Sequence, residues 1–451
     1  MIISLGLGAV SYAEIVRLCG ARVYGRLPTD PPRRLVTDSR EIIHGDLFCA
    51  LKGRDDGHRF IKDAAARGAV AVLAEHATDA PTTHLVVSSV RQALAAFAIG
   101  VSGKSSLTRI AITGSVGKTT TKDAIAAMLS PHFKVHATYG NFNNDLGLPF
   151  TLLSAPKDTE IAVCEVGVNH KGEMKALSRI VRPHISLITC IGHAHIGAFG
   201  TREAIAEEKL ALLTFAERNG ALLVPHGEPL LSLVPPHGIR RIAVSPFSAK
   251  ELTEYGLKGA EGDVSRAFAL GYAAAVGKRF LLSKDSIKEG LQKSLLLETH
   301  RHEETVEKIH FIDDGYNASP ESVLGALTYL GARGKGRRVA VLGDMLELGK
   351  NSARYHRAVG RFSVRHAERL FFIGAYAEEY ACGAKAGGGE SDVDTGEGKS
   401  VFSILEGAKE EIAASIAADL KEGDTVLFKA SRALEIEKIV ALVKKQIVKR
   451  W

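Results

Sequence analysis

The chain has 451 residues, 45% of them hydrophobic and 24% charged, with 58 Lys+Arg against 51 Asp+Glu for a net charge of +7. That length exceeds one ordinary domain, and the composition can build real cores, so two or three soluble domains are expected. No block of like charge or basic-aromatic stripe marks a nucleic-acid surface, and no apolar run reaches membrane-spanning length. Nucleic acid and membrane insertion are therefore set aside in favour of phosphorylated small molecules as ligands.

The opening MIISLGLGAV lacks a basic flank and is too short to span a bilayer. From about 30 to 100 the pattern is a small α/β unit, with strands expected at 70–73 and 84–87 and a helical stretch at 63–67. The Ser-Gly-Lys-Ser-Ser run at 102–106 reads as a linker. Strict strand–helix alternation follows, with strands at 107–113, 160–166, 185–191 and 221–224, which implies a parallel sheet covered on both faces. A third block has strands at 310–313, 339–342, 370–373 and 426–428. Its closing helix carries Ile436, Ile439, Val440, Val443 and Ile447 on one face, a core stripe. The segment 383–399 (GAKAGGGESDVDTGEGK) reads as a surface loop. The domain boundaries expected are 1–105, 106–298 and 299–451. The five cysteines (Cys19, Cys49, Cys164, Cys190, Cys382) form no C-x-x-C pair and read as reduced thiols of a cytoplasmic protein.

Chemistry first surfaces after the strand ending at Thr113. Gly114, Ser115, Val116, Gly117, Lys118, Thr119 and Thr120 match the short phosphate-loop form G-x-x-G-K-T and open a helical run. Glycines let backbone N–H groups turn towards phosphate oxygens, and the helix N-terminus adds a favourable dipole. Lys118 would neutralise the β/γ-phosphates and the Thr119 hydroxyl would reach Mg²⁺. Glu165 ends the strand at 160–166, on the edge where open parallel sheets bind ligands, and is placed to hold the metal. His193 and His195 end the next strand at the same edge, with a metal ligand and an ordinary polar residue equally open for each.

Longer motifs give these residues a context. They include 140–149 (GNFNNDLGLP), 313–320 (DDGYNASP), 342–349 (LGDMLELG) followed by His356, 429–432 (KASR), 38–40 (DSR) and 45–53 (GDLFCALKG) with Asp56, Gly57 and His58. Together with the phosphate loop they resemble the Mur ligase family, in the pattern of the member that joins D-alanyl-D-alanine to UDP-N-acetylmuramoyl-tripeptide. The resemblance implies an α/β protein of three domains: a UDP-binding α/β domain, a central phosphate-loop parallel sheet and a C-terminal Rossmann-like domain. It assigns ATP to Gly114–Thr120 residues in the loop and to Arg301, Asp314 and Asn317. It assigns Mg²⁺ to Thr119, Glu165, His195 and Lys209, and catalysis to Lys118, Lys209 and His195. Substrate contacts fall to Ser39, Arg40, Asn141, Asn143 and Asn144. A monomer is expected.

Lys209 reads from its own neighbourhood as an exposed helix lysine, and only the resemblance makes it a carbamoylated metal ligand. Three departures stand out. Gly197 follows His195 and Ile196 where a carboxylate is usual, and Ala211 replaces a usual Glu. The stretch 259–265 (GAEGDVS) replaces a G-x-H-N-x-x-N motif, which predicts weaker contacts to the nucleotide base. A sibling ligase adding a single amino acid, and a nucleotide-binding regulator without ligase activity, are the competing readings.

Overall fold

Short runs of β-branched and aliphatic residues form three successive sheets, and helices with apolar faces cover them. The computed structural model describes residues 2–450 apart from 7–9, 54, 105, 232–237, 258–259, 261, 297–300, 389 and 392–400. The first sheet contains β1 (Ile2–Ser4), β2 (Arg22–Tyr24), β3 (Arg34–Val36), β4 (Leu47–Cys49), β5 (Ala71–Ala74) and β6 (Thr83–Val86), with helices α1 (Tyr12–Cys19), α2 (Ile61–Ala66) and α3 (Val90–Ser102). Its order is β1-β3-β4-β5-β6-β2, parallel through β3 to β6 with an antiparallel strand at each edge.

The central sheet is parallel throughout, in the order β12-β11-β10-β7-β9-β8. Its strands are β7 (Thr108–Thr113), β8 (Val135–Ala137), β9 (Ile161–Glu165), β10 (Ile185–Ile188), β11 (Ala221–Pro225) and β12 (Arg240–Val244). Around it lie α4 (Lys118–Leu129), α5 (Gly147–Ser154), α6 (Glu173–Val181), α7 (Ile196–Phe199), α8 (Arg202–Leu210), α9 (Ala249–Glu254), α10 (Val264–Arg279) and α11 (Lys284–Leu295). The strand order turns about β7, so the crevice at its carboxyl end is the natural ligand edge. Among the described residues β12 pairs only with β11, and it carries exposed Arg240 and Arg241 along this edge of the sheet.

The third sheet runs β13-β14-β19-β15-β16-β18-β17, parallel except for β13. Its strands are β13 (His302–Val306), β14 (Ile309–Asp313), β15 (Arg338–Leu342), β16 (Arg369–Ile373), β17 (Glu390–Ser391), β18 (Val401–Leu405) and β19 (Thr425–Lys429). Its helices are α12 (Pro320–Arg333), α13 (Ser352–Ser363), α14 (Ala377–Ala386), α15 (Lys409–Asp419) and α16 (Ile436–Arg450). Ser319 caps α12 by accepting the Ser322 N–H, and Pro320 fits the first turn because its missing donor is not needed there. The expected stripe on α16 is buried at all five positions, Ile436, Ile439, Val440, Val443 and Ile447.

Several expectations need correction. The strand expected at 185–191 ends at Ile188: the Thr189 N–H still donates to Thr113 O of β7, but its hydroxyl and Cys190 turn to bond the phosphate loop. The linker expected at 102–106 begins later, since α3 continues through Ser102. Part of the loop expected at 383–399 is helix, as α14 runs to Ala386, and 392–399 lie outside the described residues. Apolar packing crosses the sheets: one core joins the first sheet to α5 and α6, and another joins Ile191, Ile196 and Leu213 to Ala318, Val323 and Leu348 of the third block.

Candidate active site

The loop between β7 and α4 is shaped by contacts within the chain. Gly114 has φ +151, and a Cβ there would sit 1.8 Å from Thr189 Oγ1, so only glycine fits. Thr189 Oγ1 donates to Val116 O (2.6 Å), and the Ser115 and Val116 N–H groups donate to Cys190 O (3.1 Å) and Cys190 Sγ (3.4 Å). Ser115 Oγ in turn accepts the Gly192 N–H at 2.9 Å. Gly117, at φ +81, turns the chain into α4, whose first residues are Lys118, Thr119 and Thr120. The positive end of that helix and the Lys118 ammonium, which donates to Gly114 O at 2.8 Å, face one concavity suited to phosphate.

Beside the loop, β9 delivers Glu165 in register with Ile112 of β7. Its side chain is buried; Oε1 accepts from Asn143 Nδ2 at 2.8 Å, while Oε2 is buried with no partner among the described residues. An orphaned carboxylate oxygen of this kind is costly unless a cation completes it, so the residues present fit a divalent metal. Among the described residues no three His, Cys, Asp or Glu side chains cluster as a metal cage.

Lys209 corrects the sequence reading outright. It is 5% exposed, with no hydrogen bond or ion pair among the described residues. Burial, then the nearby Lys118 cation, brings its ammonium down to about 7. The helix hides it because its neighbour Glu208 is buried too, capping α6 by accepting the Gly172 and Met174 N–H groups, each at 2.7 Å. His195, at φ +60, belongs to the same cluster: burial pushes its imidazole below the ordinary value, Glu347 opposes this, and Lys118 and Lys209 reinforce it.

The third block closes the other side of the cleft. Arg301 is held between Asp263 (3.0 Å), which caps α10, and Asp314 (3.2 Å), with its guanidinium 4.2 Å above the Tyr329 ring. Burial opposes its charge, but Asp314 and Asp263 more than compensate and raise its pKa. Lys429 Nζ donates to Asp314 Oδ1 (2.9 Å), Asp314 O (3.0 Å) and Asn317 O (2.7 Å). A cavity of about 160 Å³ lies between these residues and Val116, Gly117 and Thr120.

Thus Lys118, Thr119, Glu165, His195 and Lys209 gather at one sheet edge, with Arg301, Asp314 and Asn317 opposite. Asn143 joins them through Glu165, whereas Asn144 caps α5 by accepting the Gly147 N–H at 2.9 Å, and Asn141 faces solvent. Ser39 and Arg40 stand apart on the first sheet's domain, where exposed Arg40 pairs with Asp38 at 2.6 Å. Of the altered stretch, Gly259 and Glu261 lie outside the described residues, while Ser265 stands 3.8 Å from where a Gly117 Cβ would be. Sequence reasoning missed Thr189, Cys190, Asp263 and Glu321, for none belongs to a recognisable spacing.

A parallel sheet with a phosphate loop at its carboxyl edge, closed by a second α/β unit bearing Arg301, defines an ATP-using α/β enzyme. Comparison with known proteins places it further. Three family models match: the Mur ligase family catalytic domain over 33–101, the Mur ligase middle domain over 112–264, and the Mur ligase glutamate ligase domain over 299–432. The UDP-N-acetylmuramoyl-tripeptide–D-alanyl-D-alanine ligase of Bacillus subtilis is 34% identical, covering 90% of this chain and 92% of its own. The ligase of the same name from Mycobacterium tuberculosis H37Rv is 32% identical, covering 94% and 95%. Among solved structures, MurF from Acinetobacter baumannii superposes with TM-score 0.85 at 26% identity, covering 97% of this chain and 99% of its own. MurF from Thermotoga maritima, in complex with ADP, gives 0.77 at 27%, covering 92% and 98%. The chain belongs to the Mur ligase family, and is an ATP-dependent ligase.

Proposed function

We propose that this enzyme joins D-alanyl-D-alanine to UDP-N-acetylmuramoyl-tripeptide in peptidoglycan precursor synthesis. The similarity to ligases of that name along nine-tenths of the chain supports the substrates. The observation that carries the chemistry is the buried, unpaired Lys209 beside Lys118, next to a loop shaped for phosphate. A carboxylate is a poor electrophile, so amide synthesis needs activation. The tripeptide carboxylate attacks the γ-phosphorus of ATP, giving an acyl phosphate and ADP. The dipeptide amine then attacks the acyl carbon, and the tetrahedral adduct collapses to amide and inorganic phosphate as the amine loses its proton.

Lys118 and the α4 N-terminus stabilise the charge that develops on the transferred phosphoryl group. Arg301, carried by the third domain, approaches the same phosphates from across the cleft. Mg²⁺, held by Glu165, Thr119 and His195, would neutralise phosphate oxygens. Lys209 would join that set as a carbamate, formed when its neutral amine adds to CO₂ with an N–C bond made and one proton released. An uncharged amine is required for this, which the environment of Lys209 supplies. Residues 1–105, with Ser39 and Arg40, would anchor the uridine end, and Asn141, Asn143 and Asn144 the peptide end.

The test is phosphate release by purified enzyme with ATP, Mg²⁺ and the UDP-tripeptide, offering the dipeptide or single amino acids as the amine. Release that depends on the dipeptide supports the reading, and release that depends on one amino acid instead sinks it. Lys118→Ala and Glu165→Ala should each abolish turnover, a loss of about 3 kcal/mol or more of transition-state stabilisation, while UDP-substrate binding persists.

A further inference from the structure

Where the central and third domains meet, Gly197 and Gly349 face backbone so closely that neither has room for a side chain, and Gly192 lies against the Glu321 carboxylate. A Cβ on Gly197 would lie 2.8 Å from Glu347 O and 3.0 Å from Gly349 N. One on Gly349 would lie 2.9 Å from Gly197 Cα, and one on Gly192 would lie 2.6 Å from Glu321 Cδ. Backbone contacts below 3 Å force movement, so Gly197 and Gly349 set how closely the two domains approach. Bonds run along the same seam. Gly197 N–H donates to Glu347 O at 2.9 Å, and His193 N–H donates to Glu321 Oε1 at 3.0 Å. Both histidine rings face a carboxylate of the third domain: His193 Nδ1 pairs with Glu321, and His195 Nδ1 with Glu347.

Glu347 is held for this contact at φ +63, a conformation that a non-glycine residue rarely adopts. Its side chain is 63% exposed, so the ion pair itself adds little stability, and its consequence is orientation. A carboxylate on Nδ1 takes the Nδ1–H and leaves the lone pair on Nε2. His195 itself follows the end of β10 and stands at the start of α7, on the same sheet edge as the phosphate loop, whose Ser115 Oγ accepts the Gly192 N–H.

We propose that Glu347 is a positioning residue for His195, delivered by the third domain on closure, and that Gly197 is the residue that lets it arrive. Closure then does more than exclude water, because it fixes the tautomer of a histidine on the opposite domain. This rests on the ligase reading of the cleft, so the experiment separates the two.

The full chain is compared as wild type, Gly197→Ala and Glu347→Gln, by steady-state ligation, solution X-ray scattering with ADP and Mg²⁺, and thermal melting. Gly197→Ala should lower kcat roughly a hundredfold, with KM for the UDP-precursor within about twofold, and should enlarge the radius of gyration. Glu347→Gln keeps the backbone contact, so its scattering should match wild type while kcat falls about tenfold. Wild-type kcat in Glu347→Gln, or wild-type scattering in Gly197→Ala, would overturn the proposal. So would loss of melting temperature in Glu347→Gln in step with kcat, since that marks a purely structural role. A wild-type chain that ligates nothing would defeat the ligase reading, and the scattering of Gly197→Ala would still decide the seam.

Discussion

Lys209 and Lys429 are both buried, on opposite sides of the cleft, and their surroundings differ in one respect. Lys429, at the end of β19, spends its ammonium protons on Asp314 and on the Asp314 and Asn317 carbonyls. Lys209, in α8, meets another cation, Lys118, and no carboxylate bonds it among the described residues. Burial lowers the pKa of both; at Lys429 the hydrogen-bonded Asp314 opposes the fall while Arg301 adds to it. One lysine fastens the 314–317 turn, and the other is left as an amine able to react. Partners, more than depth, separate a structural buried cation from a chemical one.

The contrast breaks first at Lys209. Lys209→Ala should lower turnover by roughly a thousandfold or more, the scale of losing an activated catalytic group. A short carboxylic acid should restore part of it by standing in for the carbamate, and ¹³C-bicarbonate should give a carbamate signal in wild type alone. A structure of active enzyme with a bare ammonium at Lys209 would remove the distinction.

Lys429→Met should instead appear as lost stability. It leaves Asp314 with Arg301 as its one remaining cation and takes the donor from two carbonyls in a buried site, at a cost of about 2 kcal/mol in urea unfolding. A stable Lys429→Met protein that merely lost turnover would place Lys429 with the chemistry.

The smallest effect is in pH. Lys209 titrates at about 7 in the folded chain against an ordinary 10.5, so the unfolded chain binds more protons between those values. Stability therefore rises with pH through that window, and the penalty is complete below it. In CO₂-free buffer, wild type should gain on Lys209→Met between pH 7 and 9 by at most about 2 kcal/mol. Parallel curves for the two proteins would show that Lys209 is not desolvated.

Much of this was legible before the structure. The strands β7, β9, β11, β14, β15, β16 and β19 are apolar runs of the right length, and the loop from Gly114 to Thr120 announces itself between strand and helix. The strands β12 (RRIAV) and β13 (HEETV) were missed, because edge positions tolerate polar residues and lose the apolar signal. Lys209 was misread for a related reason. The sequence around it is that of a solvated helix, and only the packing of α8 on α6, sealed by Glu208, turns that face inward. The Asp263–Arg301 pair joins residues 38 positions apart on different domains, a relation no local pattern encodes.

The edge strand β12 carries a consequence for life at high protein concentration. A strand open along one side invites the same strand of a second molecule to continue the sheet, the first step of clumping. Here that invitation is countered by Arg240 and Arg241, adjacent and exposed, which would be stacked against their own copies in any such pairing. Like charges set face to face repel. Like charge along β12 thus weighs against continuing the central sheet into a second molecule.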